Sequence, residues 1–246
     1  MATVLCPLPD RDFDPTETAV PWKLLGEAGH RVVFATETGA PNPTCDPRML
    51  TGVVFGQLGA EPEPKQFYEE MARSREIAEP VAWKGLDPTS FDALLLPGGH
   101  APGMRQYLGS EELQRAIAAF WATGKPVAAI CHGVLPLARA GVLRGKKTTC
   151  LPKYMERTAY YATAWKVGRY YRTYDAYVED EVRAALADPA DFVRGPRVLS
   201  KRGTRDDDSP AMVVEDGAYV SARWPGDAYL FAKKLIARLE APSVAR

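Results

Sequence analysis

Residues 126–138 read PVAAICHGVLPLA, and this stretch decides the fold. An apolar run from Pro126 to Ile130 stops at Cys131, and His132 and Gly133 then lead into a helical pattern that continues to Arg139. Strand, sharp turn and helix follow one another without a spacer. Small residues, Ala129 and Gly133, stand two positions to either side of the cysteine. That is the steric pattern of a nucleophile elbow of the G-x-S-x-G type, with cysteine in the nucleophile's place. Such a turn holds the sulfur at the carboxyl edge of a sheet, over a helix N-terminus whose unpaired N–H groups and dipole favour thiolate over thiol. Read alone, the stretch also fits a buried free cysteine acting as a small hydrophobe.

Working outward, strands and helices alternate. Thr3 to Cys6 is a short apolar strand, Pro9 to Pro15 a polar loop, and Thr18 to Ala28 a helix stopped by Gly29. Arg31 to Ala35 is the second strand, which makes the opening a β-loop-α-β unit of a parallel sheet. Phe91 to Leu96 is a continuous apolar strand of the kind buried on both faces, broken by Pro97, Gly98 and Gly99. Ser110 caps a helix from Glu111 to Ala122, and Gly124 ends it just before the elbow strand. Beyond the elbow helix, Lys146 to Cys150 is read as a short strand and Val178 to Ala187 as a helix. Ala211 to Val214 and Ala218 to Ala222 form a hairpin around Glu215-Asp216-Gly217, and a closing helix runs from Pro225 to Leu239. The expected fold is flavodoxin-like, a doubly wound α/β domain covering residues 1–246. Its mostly parallel sheet carries helices on both faces, and its ligands belong at the carboxyl ends of the central strands.

Two segments interrupt the alternation. Residues 39–90, rich in proline and glycine, read as an excursion from the sheet with a helix from about Lys65 to Ala78. Residues 151–195 include an aromatic run in which Tyr154, Thr158, Tyr161 and Trp165 share one helical face. That face covers core or a dimer partner, or else lines a substrate surface. The charged run Lys201 to Asp208 reads as a solvated loop.

Composition narrows the function. Lysine plus arginine and aspartate plus glutamate each total 31 in 246 residues, so net charge draws the chain to neither nucleic acid nor an anionic membrane. The opening MATVLCPLPD has no basic-then-apolar leader and no 18 apolar residues run uninterrupted, so the expectation is a cytoplasmic chain. Cys6, Cys45, Cys131 and Cys150 show no C-x-x-C spacing and are expected reduced. His30, His100 and His132 are the only histidines. No phosphate or dinucleotide fingerprint is present, so no cofactor and no metal is expected.

AICHG at the elbow, LLLPGGHAPG at Leu94 to Gly103 and DPTETAVPW at Asp14 to Trp22 occur together and in order. Together they resemble the ThiJ/PfpI superfamily, with the class I glutamine amidotransferase-like fold, and look most like its glyoxalase III and heat-shock chaperone branch. The resemblance implies a homodimer and gives Cys131 as nucleophile, with His132 as general base and acid. It places Glu17 beside the sulfur, as a buried carboxyl that donates to the thiolate or shuttles a proton. Gly98 and Gly99, with the N–H of His132, form the implied oxyanion hole, and His100 lines the pocket mouth. The histidine of the family is often oriented by an acid after the next strand. Here that region reads CLPKYMER, so either Glu156 fills the role or the triad lacks its third member. Cys150 reads as structural rather than resolving.

Three functions follow from the resemblance. The first is addition of the Cys131 thiolate to a small reactive carbonyl, as in glyoxalase III (methylglyoxal to lactate) or a deglycase. The second is a PfpI-like cysteine peptidase. A glutaminase is disfavoured because no histidine follows His132. The third is a stress chaperone or redox sensor.

Overall fold

The computed structural model describes residues 1–197 and 201–241. Among the described residues nine strands are formed: β1 (Thr3–Pro7), β2 (Arg11–Phe13), β3 (Arg31–Thr36), β4 (Thr44–Cys45), β5 (Val81–Ala82), β6 (Ala93–Leu96), β7 (Val127–Ile130), β8 (Val213–Asp216) and β9 (Tyr219–Ala222). Seven of them make one sheet in the order β5-β3-β1-β6-β7-β9-β8, parallel except for the β8–β9 hairpin. Every residue of β6, β7 and β9 is buried, which is why these strands read as continuous rather than alternating apolar runs. The α-helices among the described residues are α1 (Pro15–Glu27), α2 (Pro47–Thr51), α3 (Pro62–Met71), α4 (Arg75–Ala78), α5 (Met104–Leu108), α6 (Glu111–Ala122), α7 (Leu135–Arg139), α8 (Lys153–Val167), α9 (Val178–Ala185) and α10 (Ala228–Glu240). α1 packs with α3 and α10, and α7 packs with α6 and α9, so the sheet is doubly wound and flavodoxin-like as expected.

The strand order reverses direction between β1 and β6. The chain winds outward from β1 to β3 on one side, then crosses to β6 and β7 on the other. Loops leaving the carboxyl ends of these two strands therefore diverge and open a crevice. The segments that follow β1, β6 and β7 all meet there.

Several local expectations change. The loop from Pro9 to Pro15 contains β2, which pairs with β4 in a small separate sheet. α1 begins at Pro15 rather than Thr18, because the Asp14 side chain accepts the N–H groups of Thr16 and Glu17 and starts the helix three residues earlier. Residues 39–90 do not simply leave the sheet: they return as edge strand β5, paired with β3. The helix read from Lys65 to Ala78 is split into α3 and α4, with Ser74 capping the second piece. Lys146 to Cys150 is not a strand. Thr148 makes one isolated bridge to Phe192, and its hydroxyl bonds instead with Tyr219. The charged run 201–208 is a loop, but not a freely solvated one: Arg205 pairs with Glu27 and Asp208 with Lys233.

Candidate active site

Strand β7 ends in Cys131 at φ 58°, a left-handed conformation that non-glycine residues seldom adopt and that costs conformational energy. A 3-10 turn, Cys131–Val134, leads from it into α7. Gly133 makes the bend possible. A Cβ there would lie 2.1 Å from the carbonyl oxygen of Leu96 at the end of β6, so only glycine lets the turn sit this close to its neighbour strand.

Glu17, one turn into α1, is fully buried against the thiol. Its Oε2 accepts the Gly98 N–H at 2.9 Å, while Oε1 is buried without a hydrogen-bond partner. Burial holds the carboxyl well above the usual carboxylate range, and the negative charge of nearby Asp14 adds to the shift. The shift favours the protonated carboxyl, the form that can direct a proton at the sulfur. The thiolate expected from the helix end meets an opposing influence. Burial pushes the Cys131 thiol up, as would negative charge on Glu17 and Asp14, and the His132 N–H favours the thiolate only in part. Neutralising Glu17 turns it from a repelling charge into a donor, so the two groups share one proton.

The Gly98 N–H is spent on Glu17, which removes it from the expected oxyanion hole and makes it a support for the acid. Gly98 also has no room for a side chain, since a Cβ would meet the His132 nitrogen at 2.7 Å. The Gly99 amide, at the cavity wall, and the His132 amide remain as candidate donors.

The sulfur lies 3.5 Å from His132 Nδ1 and 3.9 Å from His100 Nε2. The two imidazoles pack with centroids 4.7 Å apart. Burial pushes His100 down to about 4, and burial with the positive charge around it holds His132 well below its usual range, so both rings are neutral bases. Glu156 does not reach this group. Its Oε1 accepts from Arg172 at 3.2 Å and its Oε2 accepts the Val178 N–H at 3.0 Å. Arg172 thus holds the glutamate that sequence nominated as the orienting acid, and no carboxylate among the described residues bonds to His132. Cys150 is buried and its thiol donates to the Leu151 carbonyl at 3.7 Å; all four cysteines are free.

Next to this group, reached at His100 rather than at the thiol, opens a cavity of about 220 Å³. His100 and Gly99 border it, with Leu58, Leu151, Met155, Tyr171 and Trp224 supplying apolar wall and Asp46 and Arg202 polar points. Asp46, not foreseen from sequence, is fixed by the hydroxyls of Tyr170 and Tyr171 at 3.1 and 2.9 Å. The same α8 lines the cavity with Tyr154, Met155, Thr158 and Ala159 and turns Tyr161 and Trp165 outward, 63% and 67% exposed, so the expected face is divided between cavity wall and exposed surface.

A fold wound around a buried elbow cysteine with an acid at its side is the architecture of the ThiJ/PfpI family. The family description "ThiJ/PfpI family-like" matches residues 8–196, and the chain belongs to that family. Relatives carry the name deglycase: Deglycase PfpI of Pyrococcus furiosus is 27% identical over 229 residues, covering 93% of this chain and 95% of its own. Protein/nucleic acid deglycase 2 of Escherichia coli is 49% identical over 141 residues, 57% of this chain and 66% of its own. Among solved structures, glyoxalase III of Candida albicans superposes with a TM-score of 0.67 at 20% identity, over 98% of both chains, which bears on the fold alone. No helix among the described residues is long and apolar enough to cross a membrane.

Proposed function

We propose that this chain is a cysteine-dependent enzyme acting on small reactive carbonyl compounds, by glyoxalase III-like or deglycase-like chemistry. The observation that carries the reading is the buried Glu17 carboxyl held against the Cys131 thiol by the Gly98 N–H, in surroundings that favour its protonated form. In the α-oxoaldehyde case, Sγ attacks the aldehyde carbon and the carbonyl electron pair moves onto oxygen, facing the Gly99 and His132 amides. The resulting hemithioacetal loses its C1 proton to neutral His132 or to Glu17 after that group has given up its own. The proton returns at C2, leaving a thioester and a hydroxyl. Water hydrolyses the thioester, releasing an α-hydroxy acid and regenerating the thiol. Release of glycated adducts from amines uses the same first addition. The apolar cavity wall supports substrates in which the carbonyl is carried on an apolar or amine-linked body.

A panel of α-oxoaldehydes and amine-linked carbonyl adducts tests the reading on wild type, Cys131→Ala and Glu17→Gln. Wild type turns over at least one class and Cys131→Ala none. Undiminished activity in Cys131→Ala would overturn the proposal.

A homodimer in the cytoplasm belongs to the same proposal. One observation favours a second reading, a stress chaperone: Phe55, 84% exposed, and Trp165 bring their rings to 6.3 Å and form an unburied aromatic patch. Suppression of client aggregation that survives Cys131→Ala but is lost in Trp165→Ser would support that activity.

A further inference from the structure

The sulfur of Cys131 faces two imidazoles as well as an acid. The donor atoms of His100, Cys131 and His132 all lie within 4.8 Å of one another. A zinc-type ion binds thiolate at about 2.3 Å and imidazole at about 2.0–2.1 Å in a tetrahedron, which places sulfur and nitrogen about 3.6 Å apart and two nitrogens about 3.3 Å apart. The observed sulfur–nitrogen separations, 3.5 and 3.9 Å, meet that requirement within a few tenths of an ångström. The nitrogen pair exceeds its requirement by at most about 1.5 Å. Closing that gap requires His100, which borders the cavity, to turn its ring between His132 and Tyr171.

We infer that His100, Cys131 and His132 form a binding site for a thiophilic divalent cation of the zinc type, and that the bound ion masks the nucleophile. The ligand set, one thiolate and two imidazoles, suits such an ion, and three protein ligands leave its fourth position to a further donor. The nearby guanidiniums of Arg139 and Arg172 are paired with Glu181 and Glu156. Binding exchanges the S–H bond for a sulfur–metal bond and releases the thiol proton to solvent; no group is oxidised or reduced. The inference rests on geometry and stands independently of the carbonyl reading.

Cobalt(II) is the probe, because a cobalt–thiolate bond gives a charge-transfer absorption that zinc then displaces. Titration of the reduced, metal-free full chain is expected to saturate at one equivalent. The band is absent in Cys131→Ser, retained in Cys45→Ser, and at least about tenfold weaker in affinity in His100→Ala, with melting curves recorded for each variant. No band in wild type, a band surviving Cys131→Ser, or unchanged affinity in His100→Ala would each overturn the site. A second measurement needs no variant. One equivalent of zinc protects wild-type Cys131 from iodoacetamide, read by mass spectrometry, and a chelator restores labelling; equal labelling with and without zinc contradicts the inference.

Discussion

Glu17 and Glu156 stand in the first turns of two helices, α1 and α8, and are 0% and 1% exposed. Burial raises both carboxyls, and the surroundings then separate them. Glu156 meets Arg172 and a backbone N–H, which hold it to about 7 and use both its oxygens. Glu17 meets one N–H, no cation, and a thiol. An acid with its needs met ties α8 to the start of α9. An acid left with an unpartnered oxygen beside a nucleophile keeps its proton for chemistry. The difference between a structural and a reactive glutamate here lies in their partners, since burial and helix position are shared.

The contrast can be broken most sharply at Glu17. Glu17→Gln keeps a carbonyl to accept the Gly98 N–H but has no acidic proton, and we expect kcat/KM toward the carbonyl substrate to fall about 100-fold with little change in melting temperature. Glu156→Ala should do the reverse. It leaves Arg172 buried without its partner, so urea denaturation should show a loss of about 3 kcal/mol, with the rate of Cys131 alkylation in the folded protein unchanged. Asp14→Ala removes the cap of α1 and should cost about 1 kcal/mol by the same measurement. An activity loss at Glu156→Ala as large as at Glu17→Gln would erase the distinction.

The elbow was legible because its constraints are local. A run of apolar residues, a cysteine and a glycine two positions on specify a strand and a tight turn, and the 2.1 Å approach of Gly133 to Leu96 is the physical form of that pattern. Glu17 was legible only through resemblance, since a first-turn acid is ordinarily solvated. The walls were not legible. Asp46 is fixed by tyrosines 124 and 125 positions away, and Arg172 takes Glu156 from 16 positions away, pairings that leave no mark in local spacing. The 3-to-4 periodicity of Tyr154, Thr158, Tyr161 and Trp165 did identify a helix. It could not say what that side meets: Tyr154 and Thr158 line the cavity beside Met155, Ala159 and Ala162, while Tyr161 and Trp165 are exposed. Lys146 to Cys150 had strand-like residues but pairs at one position only, where the Thr148 backbone bonds with Asp191 and Val193.

The central claim is that Glu17 is a neutral donor to the Cys131 sulfur, and the pH dependence of Cys131 alkylation tests it directly. The sign decides. If Glu17 is protonated, as its upward shift by burial implies, it stabilises the thiolate, and Glu17→Leu moves the alkylation midpoint to higher pH, by about a unit or more. If Glu17 is ionised, its charge opposes the thiolate, and the same substitution moves the midpoint to lower pH. A rise in Glu17→Leu, with Glu17→Gln between it and wild type, is the predicted result; a fall would contradict the account.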